Sequence, residues 1–109
     1  MASDLEFVEY VCDQMRDAGR VRFRKMFGEF AVYCNDKVVA LVCDDRLFVK
    51  STPGGRVFIG EPVESPPYPS AKPHFLIEDG IDDREWLTQL IRTTERELPA
   101  PSPKKPRSR

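Results

Sequence analysis

The chain has 109 residues, of which 40% are hydrophobic and 32% charged, a size and composition typical of one globular domain. No apolar run approaches the roughly 20 residues that a transmembrane helix needs, and the N-terminal MASDLEF lacks an apolar signal-peptide segment, so we expect a cytoplasmic protein without membrane association. Four of the 17 basic residues and none of the 18 acidic residues lie in residues 99–109, so residues 1–98 have a net charge of −5. A protein dedicated to binding duplex DNA usually has a basic surface instead.

The first predicted element is a helix over residues 4–18. Ser3 and Glu6 have the spacing of a capping box, which satisfies backbone N–H groups at a helix start. Apolar residues then recur with the period of a one-sided stripe: Val8, Val11, Cys12, Met15 and Ala18. Gly19 is suited to a left-handed cap at the end of this helix.

A strand is predicted next, over residues 21–27. Arg20, Arg22 and Arg24 occur at every second position, so a strand places them on one face and Phe23 on the other. Gly28 then permits a bend or bulge before the following strand.

Three further predicted strands form an antiparallel meander with this one. They cover residues 29–34, 38–43 and 46–51, separated by turns at residues 35–37 (Asn-Asp-Lys) and 44–45 (Asp-Asp). The third strand of the meander is a nearly continuous apolar run, so we expect an interior strand that is covered on both faces.

Residues 52–73 differ in character, with six prolines and two adjacent glycines. We expect a short helical turn over residues 55–59, followed by an extended, polyproline-like conformation at PPYPSAKP. Residues 74–78 (HFLIE) then predict a last strand, at a sheet edge because proline precedes it closely.

The chain ends with a second helix and a basic tail. Asp82 and Glu85 repeat the capping-box spacing, Trp86 is expected to anchor the helix on the sheet, and Pro99 ends it. The apolar stripe of this helix consists of Leu87, Leu90, Ile91, Thr94 and Leu98. We therefore expect one domain over residues 1–98 and a disordered basic, proline-rich tail over residues 99–109.

Two segments resemble the TfoX/Sxy N-terminal domain family. The first is Arg22-x-Arg24-Lys25-Met26-Phe27-Gly28, and the second is Asp44-Asp45-Arg46-Leu47-Phe48-Val49-Lys50, with Tyr33 and Ala40-Leu41-Val42 between them. The similarity extends over about residues 4–98. It implies an antiparallel sheet flanked by helices, as in type III secretion chaperones, and a role related to bacterial regulators of natural competence and transcription. Full-length members carry a second, C-terminal domain, which we do not expect in these 109 residues.

The basic residues of the first strand are the strongest candidates for a binding site. Arg20, Arg22, Arg24 and Lys25 are able to contact phosphates or an acidic protein surface, because guanidinium groups suit carboxylate and phosphate oxygens. The alternative is a solvated strand face, or ion pairs with Glu6, Glu9 and Asp13 of the first helix.

The proline-rich segment is a second candidate. Tyr68 and Lys72 lie in it, and it is either a docking surface for a partner or a flap that covers one face of the sheet.

The sequence offers no catalytic or metal-binding pattern. His74 has no obvious carboxylate and nucleophile beside it, so we expect no catalytic group there and no cofactor. Cys12, Cys34 and Cys43 do not have the paired spacing of a zinc site, so we expect free thiols and no metal. Gly54-Gly55-Arg56 lacks the spacing of a phosphate loop and is interpreted as a turn, and the pairs at residues 44–45 and 82–83 fit turn or cap positions.

Together these observations predict an α+β fold, with a four-stranded antiparallel meander plus an edge strand between N- and C-terminal helices. The expected function is a non-enzymatic regulatory or adaptor module that acts through contacts with an unknown protein partner, with a homodimer also compatible. The alternative is a nucleic-acid-binding protein that uses the Arg20–Lys25 segment and the basic tail.

Overall fold

The computed structural model describes residues 4–26 and 29–99, which form an α+β fold with a six-stranded antiparallel sheet. The strands are Val21–Met26 (β1), Glu29–Cys34 (β2), Lys37–Cys43 (β3), Arg46–Val49 (β4), Val63–Ser65 (β5) and His74–Ile77 (β6). The helices are Leu5–Gln14 (α1), Pro53–Ile59 (α2) and Arg84–Glu97 (α3). The spatial order of the strands is β1-β2-β3-β4-β6-β5. The predicted fold class is confirmed, since the N- and C-terminal helices flank the sheet.

Two tight turns fix the register of the meander. Asn35 and Asp36 have φ of 53° and 68°, and Asp44 and Asp45 have φ of 55° and 57°. Positive φ at both central residues is the geometry of type I′ turns, whose twist matches that of antiparallel strands, and Asn and Asp tolerate it well. Each loop is therefore two residues long, so Lys37 already belongs to β3 rather than to the predicted turn.

A bulge in β3 changes which side chains point towards the helices. Val32 pairs with Ala40 and Tyr33 pairs with Val38, so Val39 is an extra residue in the ladder. Lys37 therefore lies on the same side of the sheet as Ala40, although two residues lie between them and a regular strand would place them on opposite sides. The interior position of β3 is confirmed, but Leu41 on the other face is only half-buried, so that face is covered incompletely.

The last strand is not at the edge that the sequence indicated. β6 pairs with β4 on one side and with β5 on the other, so the three-residue β5 takes the edge position. The reason is that the extended chain at Val63–Ser65, just before the densest prolines, is able to form a short ladder. The strand predicted over residues 46–51 ends at Val49.

The first helix is shorter than predicted. Asp4 is its N-cap, with a side chain that accepts a hydrogen bond from the N–H of Glu6, and the α-helix ends at Gln14 before a 3₁₀ turn at Arg16–Ala18. The predicted capping residue Ser3 lies outside the described residues. Gly19 has an extended backbone (φ 159°) instead of the predicted left-handed cap, and a Cβ there would lie 2.7 Å from the side chain of Asn35.

The other helices also begin at different residues from those expected. Asp83, not Asp82, caps α3 by accepting a hydrogen bond from the N–H of Trp86. α2 starts at Pro53, two residues before the predicted helical turn, and is capped by Thr52, whose Oγ1 accepts from the N–H of Gly55 at 3.0 Å. α3 ends at Glu97, and Pro99 follows as expected.

A single core lies between α1, α3 and one face of the sheet. Its largest fully buried side chains are Phe75, Met15, Leu47, Leu87, Leu90, Ile91, Val8, Val11, Val32, Val39, Val42 and Val49. Trp86 packs against this core and against Phe58 of α2, with ring centroids 5.5 Å apart. We call this side of the sheet the helix face and the opposite side the open face. The tail predicted to be disordered begins at residue 99, and residues 100–109 lie outside the described part of the chain.

Candidate interaction surface on the open face of the sheet

Strand β1 presents its arginines on the open face. Arg22 and Arg24 pair across the ladder with Tyr33 and Ala31, while Phe23 packs edge-on against Phe30 of the core, with ring centroids 5.6 Å apart. The predicted alternation of arginine and apolar residues is therefore present. By the same alternation Lys25, whose partner is Phe30, belongs to the other side of the strand, so it does not extend the arginine row.

Two of the candidate cations already have acidic partners. A nitrogen of Arg20 and one of Arg22 each lie 3.5 Å from a carboxylate oxygen of Asp36, and the guanidinium of Arg22 stacks over the ring of Tyr33 at 4.3 Å. The acidic partner, Asp36, comes from the turn between β2 and β3 and not from α1, because the pairing of β1 with β2 brings this turn beside the start of β1.

The alternative of ion pairs between this strand and the acidic residues of the first helix is not what the structure shows. Asp13 pairs instead with Arg16, at 3.2 Å, and with Arg84, at 3.4 Å. Within residues 4–26 and 29–99, neither Arg24 nor Lys25 has a carboxylate within ion-pair distance, and both side chains are exposed. Arg24 is thus the arginine of this row that remains available to an acidic ligand.

An apolar cavity of about 380 Å³ lies on the open face. It is lined by Met26, Glu29, Phe30, Ala31, Leu41, Cys43 and Tyr68. Ala31, the cross-strand neighbour of Arg24, forms part of its wall. A cation is therefore placed at the border of an apolar depression.

Tyr68 reaches this cavity from the proline-rich loop. The loop thus partly covers the open face, in line with the flap interpretation, yet Tyr68 stays 52% exposed. Lys72 lines a second depression, together with Tyr68 and His74, and is exposed. The structure therefore brings Tyr68 and Lys72 to the same face as Arg22 and Arg24.

The remaining sequence candidates have structural partners. The ring Nδ1 of His74 lies 2.8 Å from the carbonyl oxygen of Lys72. Gly54 and Gly55 form the first turn of α2 rather than the predicted turn. Their N–H groups donate to Glu97 Oε1, at 2.8 Å, and to Thr52 Oγ1. The first N–H groups of α2 are therefore already bonded to side chains of this chain.

The cysteines are free thiols in unreactive surroundings. Burial raises the pKa of Cys12, Cys34 and Cys43 to about 11 each, with nearby carboxylates such as Glu9 and Glu95 adding to the effect. A thiol with such a pKa is almost entirely protonated at neutral pH, and the thiolate is the nucleophilic form. No group of three or more His, Cys, Asp or Glu side chains able to hold a metal occurs among the residues that the structure describes.

The cavity itself was not foreseen from the sequence. Met26, Ala31, Leu41 and Cys43 were assigned to strands, but their convergence depends on the register of three neighbouring strands. The sequence signal for the cavity is the position of Met26, an apolar residue that follows Arg22 and Arg24 at the same two-residue spacing and therefore shares their face of the strand.

Comparison with known proteins agrees with the motifs in β1 and β4. Residues 13–98 match the TfoX N-terminal domain. The whole chain is 38% identical to an uncharacterized 12.7 kDa protein from the trpE 5′ region of Spirochaeta aurantia, and the alignment covers 95% of that protein. None of the helices in the described part of the chain has the length and apolarity needed to cross a bilayer. With a match over most of its described residues and a relative of nearly equal length, the chain belongs to the TfoX N-terminal domain family.

Proposed function

We propose that this protein is a non-enzymatic regulatory or adaptor module of the TfoX type that works in the cytoplasm and acts by binding a protein partner through the open face. The observation that carries this proposal is the placement of Arg24, an exposed cation without an acidic partner in the described residues, beside the apolar cavity under Tyr68. Family membership supports the regulatory class.

The chemistry of the surface suits a protein better than a nucleic acid. The cavity walls are mainly apolar, and they offer an aliphatic or aromatic side chain a place out of water. Interface cores in general combine aromatic, Met and Arg side chains, and Tyr68, Met26 and Arg24 provide all three.

A nucleic-acid-binding function has weaker support. Single-stranded nucleic acids require exposed aromatic rings between the basic residues. Phe23 packs on Phe30 towards the helices and the ring of Tyr33 is covered by Arg22, so Tyr68 is the exposed ring beside these arginines. Arg20 and Arg22 also contact Asp36, which reduces the positive charge that this strand presents.

The test is affinity capture from an extract of the source cells with the immobilised protein. We expect the Arg24→Glu variant to lose a partner that the wild-type protein retains. Arg96→Glu changes the net charge equally on the exposed surface of α3 and should keep that partner. Identical captured proteins with wild type and Arg24→Glu would contradict a function based on this face.

A salt titration separates the two classes of ligand. Fluorescence anisotropy with single- and double-stranded oligonucleotides should show no binding at micromolar protein in low salt. Binding that weakens steeply as salt rises, and that Arg24→Glu reduces, would instead establish nucleic-acid binding and overturn the adaptor proposal.

A further inference from the structure

The outer edge of β1 is an unpaired side of the sheet. Within residues 4–26 and 29–99, β1 has β2 as its neighbour on one side and no strand on the other. It is six residues long, twice the length of β5 at the opposite edge. An edge of this length offers a row of backbone hydrogen-bonding groups to an added strand.

The register identifies which backbone groups point outward. The N–H of Asn35 donates to the carbonyl oxygen of Arg20 at 2.8 Å, which makes residues 20 and 35 a hydrogen-bonded pair. Such pairs alternate along an antiparallel ladder, so Arg22, Arg24 and Met26 bond to β2. The backbone N–H and C=O groups that point away from the sheet are therefore those of Val21, Phe23 and Lys25.

A second copy of this chain does not fit this edge. Symmetric antiparallel pairing of two β1 strands keeps the open faces of both copies on the same side. In two of the possible registers, Arg24 of one copy lies opposite Arg22 or Arg24 of the other. In a third register Arg24 lies opposite Met26, and the arginines of the two copies are then diagonal neighbours. Like charges in such positions repel each other across the ladder. The occupant that fits is a strand with acidic side chains on the open face.

The geometry points to an extended acidic peptide as the partner that binds here, and this inference rests on the proposed function. We propose that such a peptide adds to β1 as an antiparallel seventh strand. Its backbone bonds to the outward groups of Val21, Phe23 and Lys25, an acidic side chain pairs with Arg24, and a bulky apolar side chain two positions earlier lies beside Met26 and enters the cavity.

Synthetic peptides test this directly. The probe is a fluorescent peptide reading Ser-Phe-Thr-Asp-Thr-Asp-Ser, in which phenylalanine and the two aspartates share one face of a strand. We expect saturable binding in a fluorescence anisotropy titration with the full chain. Replacing both aspartates by lysines, or the phenylalanine by serine, should weaken binding about tenfold or more, because the first change turns attraction to the arginines into repulsion and the second removes the side chain that enters the cavity.

Variants of the protein locate the binding site. Arg24→Glu should weaken the probe about tenfold or more, and Arg96→Glu should leave its affinity within about twofold. Lys25→Pro removes an outward N–H without removing a ladder hydrogen bond, so it should abolish binding while circular dichroism and the thermal midpoint stay close to wild type.

A backbone-modified probe covers the case in which the proline variant does not fold. N-methylation of the threonine that follows phenylalanine removes the peptide N–H opposite Lys25 and should abolish binding to the wild-type chain. Chemical-shift changes in a ¹⁵N NMR titration should be largest along β1.

The outcomes separate this inference from the proposed function. If the acidic probe fails to bind, or binds equally well to Arg24→Glu, strand addition is wrong, and the basic residues serve only to keep the edge from aggregating. If capture of a cellular partner still depends on Arg24 in that case, the adaptor function stands without strand addition. If both experiments fail, the adaptor proposal is wrong as well.

Discussion

Lys37 connects the sheet to the end of α3 through a single ammonium group. Its Nζ donates to the carbonyl oxygens of Glu95, at 2.7 Å, and Leu98, at 3.0 Å, and lies 3.2 Å from the Glu95 carboxylate. The last carbonyl groups of a helix have no partner within it and carry partial negative charge. Because only 14% of the lysine side chain is exposed, solvent screens these contacts weakly.

Replacing Lys37 with methionine should therefore destabilise the fold. We expect Lys37→Met to lower the free energy of unfolding by about 1.5–3 kcal/mol, the range for hydrogen bonds to a charged group, in urea denaturation followed by tryptophan fluorescence. Lys25→Met, at an exposed position, should change it by less than about 0.5 kcal/mol. Equal stability of the two variants would show that the end of α3 does not depend on this lysine.

At the scale of elements, α2 is a short helix of low intrinsic propensity that is supported by its N-cap. Two of its seven residues are glycines, which lower helix propensity by about 1 kcal/mol each relative to alanine. Thr52 is buried and satisfies the N–H of Gly55, and a Cβ at Gly55 would lie 3.1 Å from the ring of Phe75. The glycine therefore permits the close approach of α2 to the sheet, and the threonine offsets part of its cost.

Removal of that cap should weaken α2 measurably. Thr52→Ala is expected to lower the free energy of unfolding by about 1–2 kcal/mol, whereas Thr52→Ser, which keeps the hydroxyl, should restore most of the loss. Hydrogen exchange at the amide of Gly55 should accelerate in the alanine variant alone. Similar stabilities of the alanine and serine variants would contradict a capping role.

The sequence predicted the elements whose signals are local. The positions of the two turns, at residues 35–37 and 44–45, and the apolar stripe of α3 depend on neighbouring residues, so the sequence was enough to predict them, although the first turn is one residue shorter than predicted. β5 was not predictable in this way, because it has three residues, Val63 is 62% exposed, and no alternation of buried and exposed residues marks it. This strand forms because it pairs with β6.

The candidate surface was predictable only in part, for the same physical reason. Alternation along one strand was enough to place Arg22 and Arg24 on one face. The pairing of Arg22 with Asp36 and the cavity beside Arg24 arise from contacts between strands, and their register is set by the turns and by the bulge at Val39.

For the whole molecule, the thiols predict how stability responds to alkaline pH. Cys12, Cys34 and Cys43 have pKa values near 11 in the folded chain, above the ordinary value of 9.0, so the folded state holds protons that the unfolded state releases. Stability then falls as pH rises, with the contribution of these thiols intact below pH 9 and lost as pH passes through 11.

Urea midpoints at pH 8, 9.5 and 10.5 should show this decline. Cys34→Ala and Cys43→Ala should each reduce its steepness, although each also lowers stability at pH 8 by removing buried volume. At pH 7.5, a thiol reagent should label the native chain much more slowly than the urea-unfolded chain. An unchanged pH dependence in both variants would show that other groups cause the decline.

The extra residue in β3 bears on how this family tolerates changes in length. Val38 and Ala40 keep their partners on β2 whether or not a residue stands between them, so a relative lacking one residue at Val39 retains every other cross-strand pair. A relative with one further residue in the same strand must instead lengthen the Asn35-Asp36 turn or acquire a second irregularity. Gaps in alignments of the family should therefore gather at this single position, with insertions confined to the neighbouring turns.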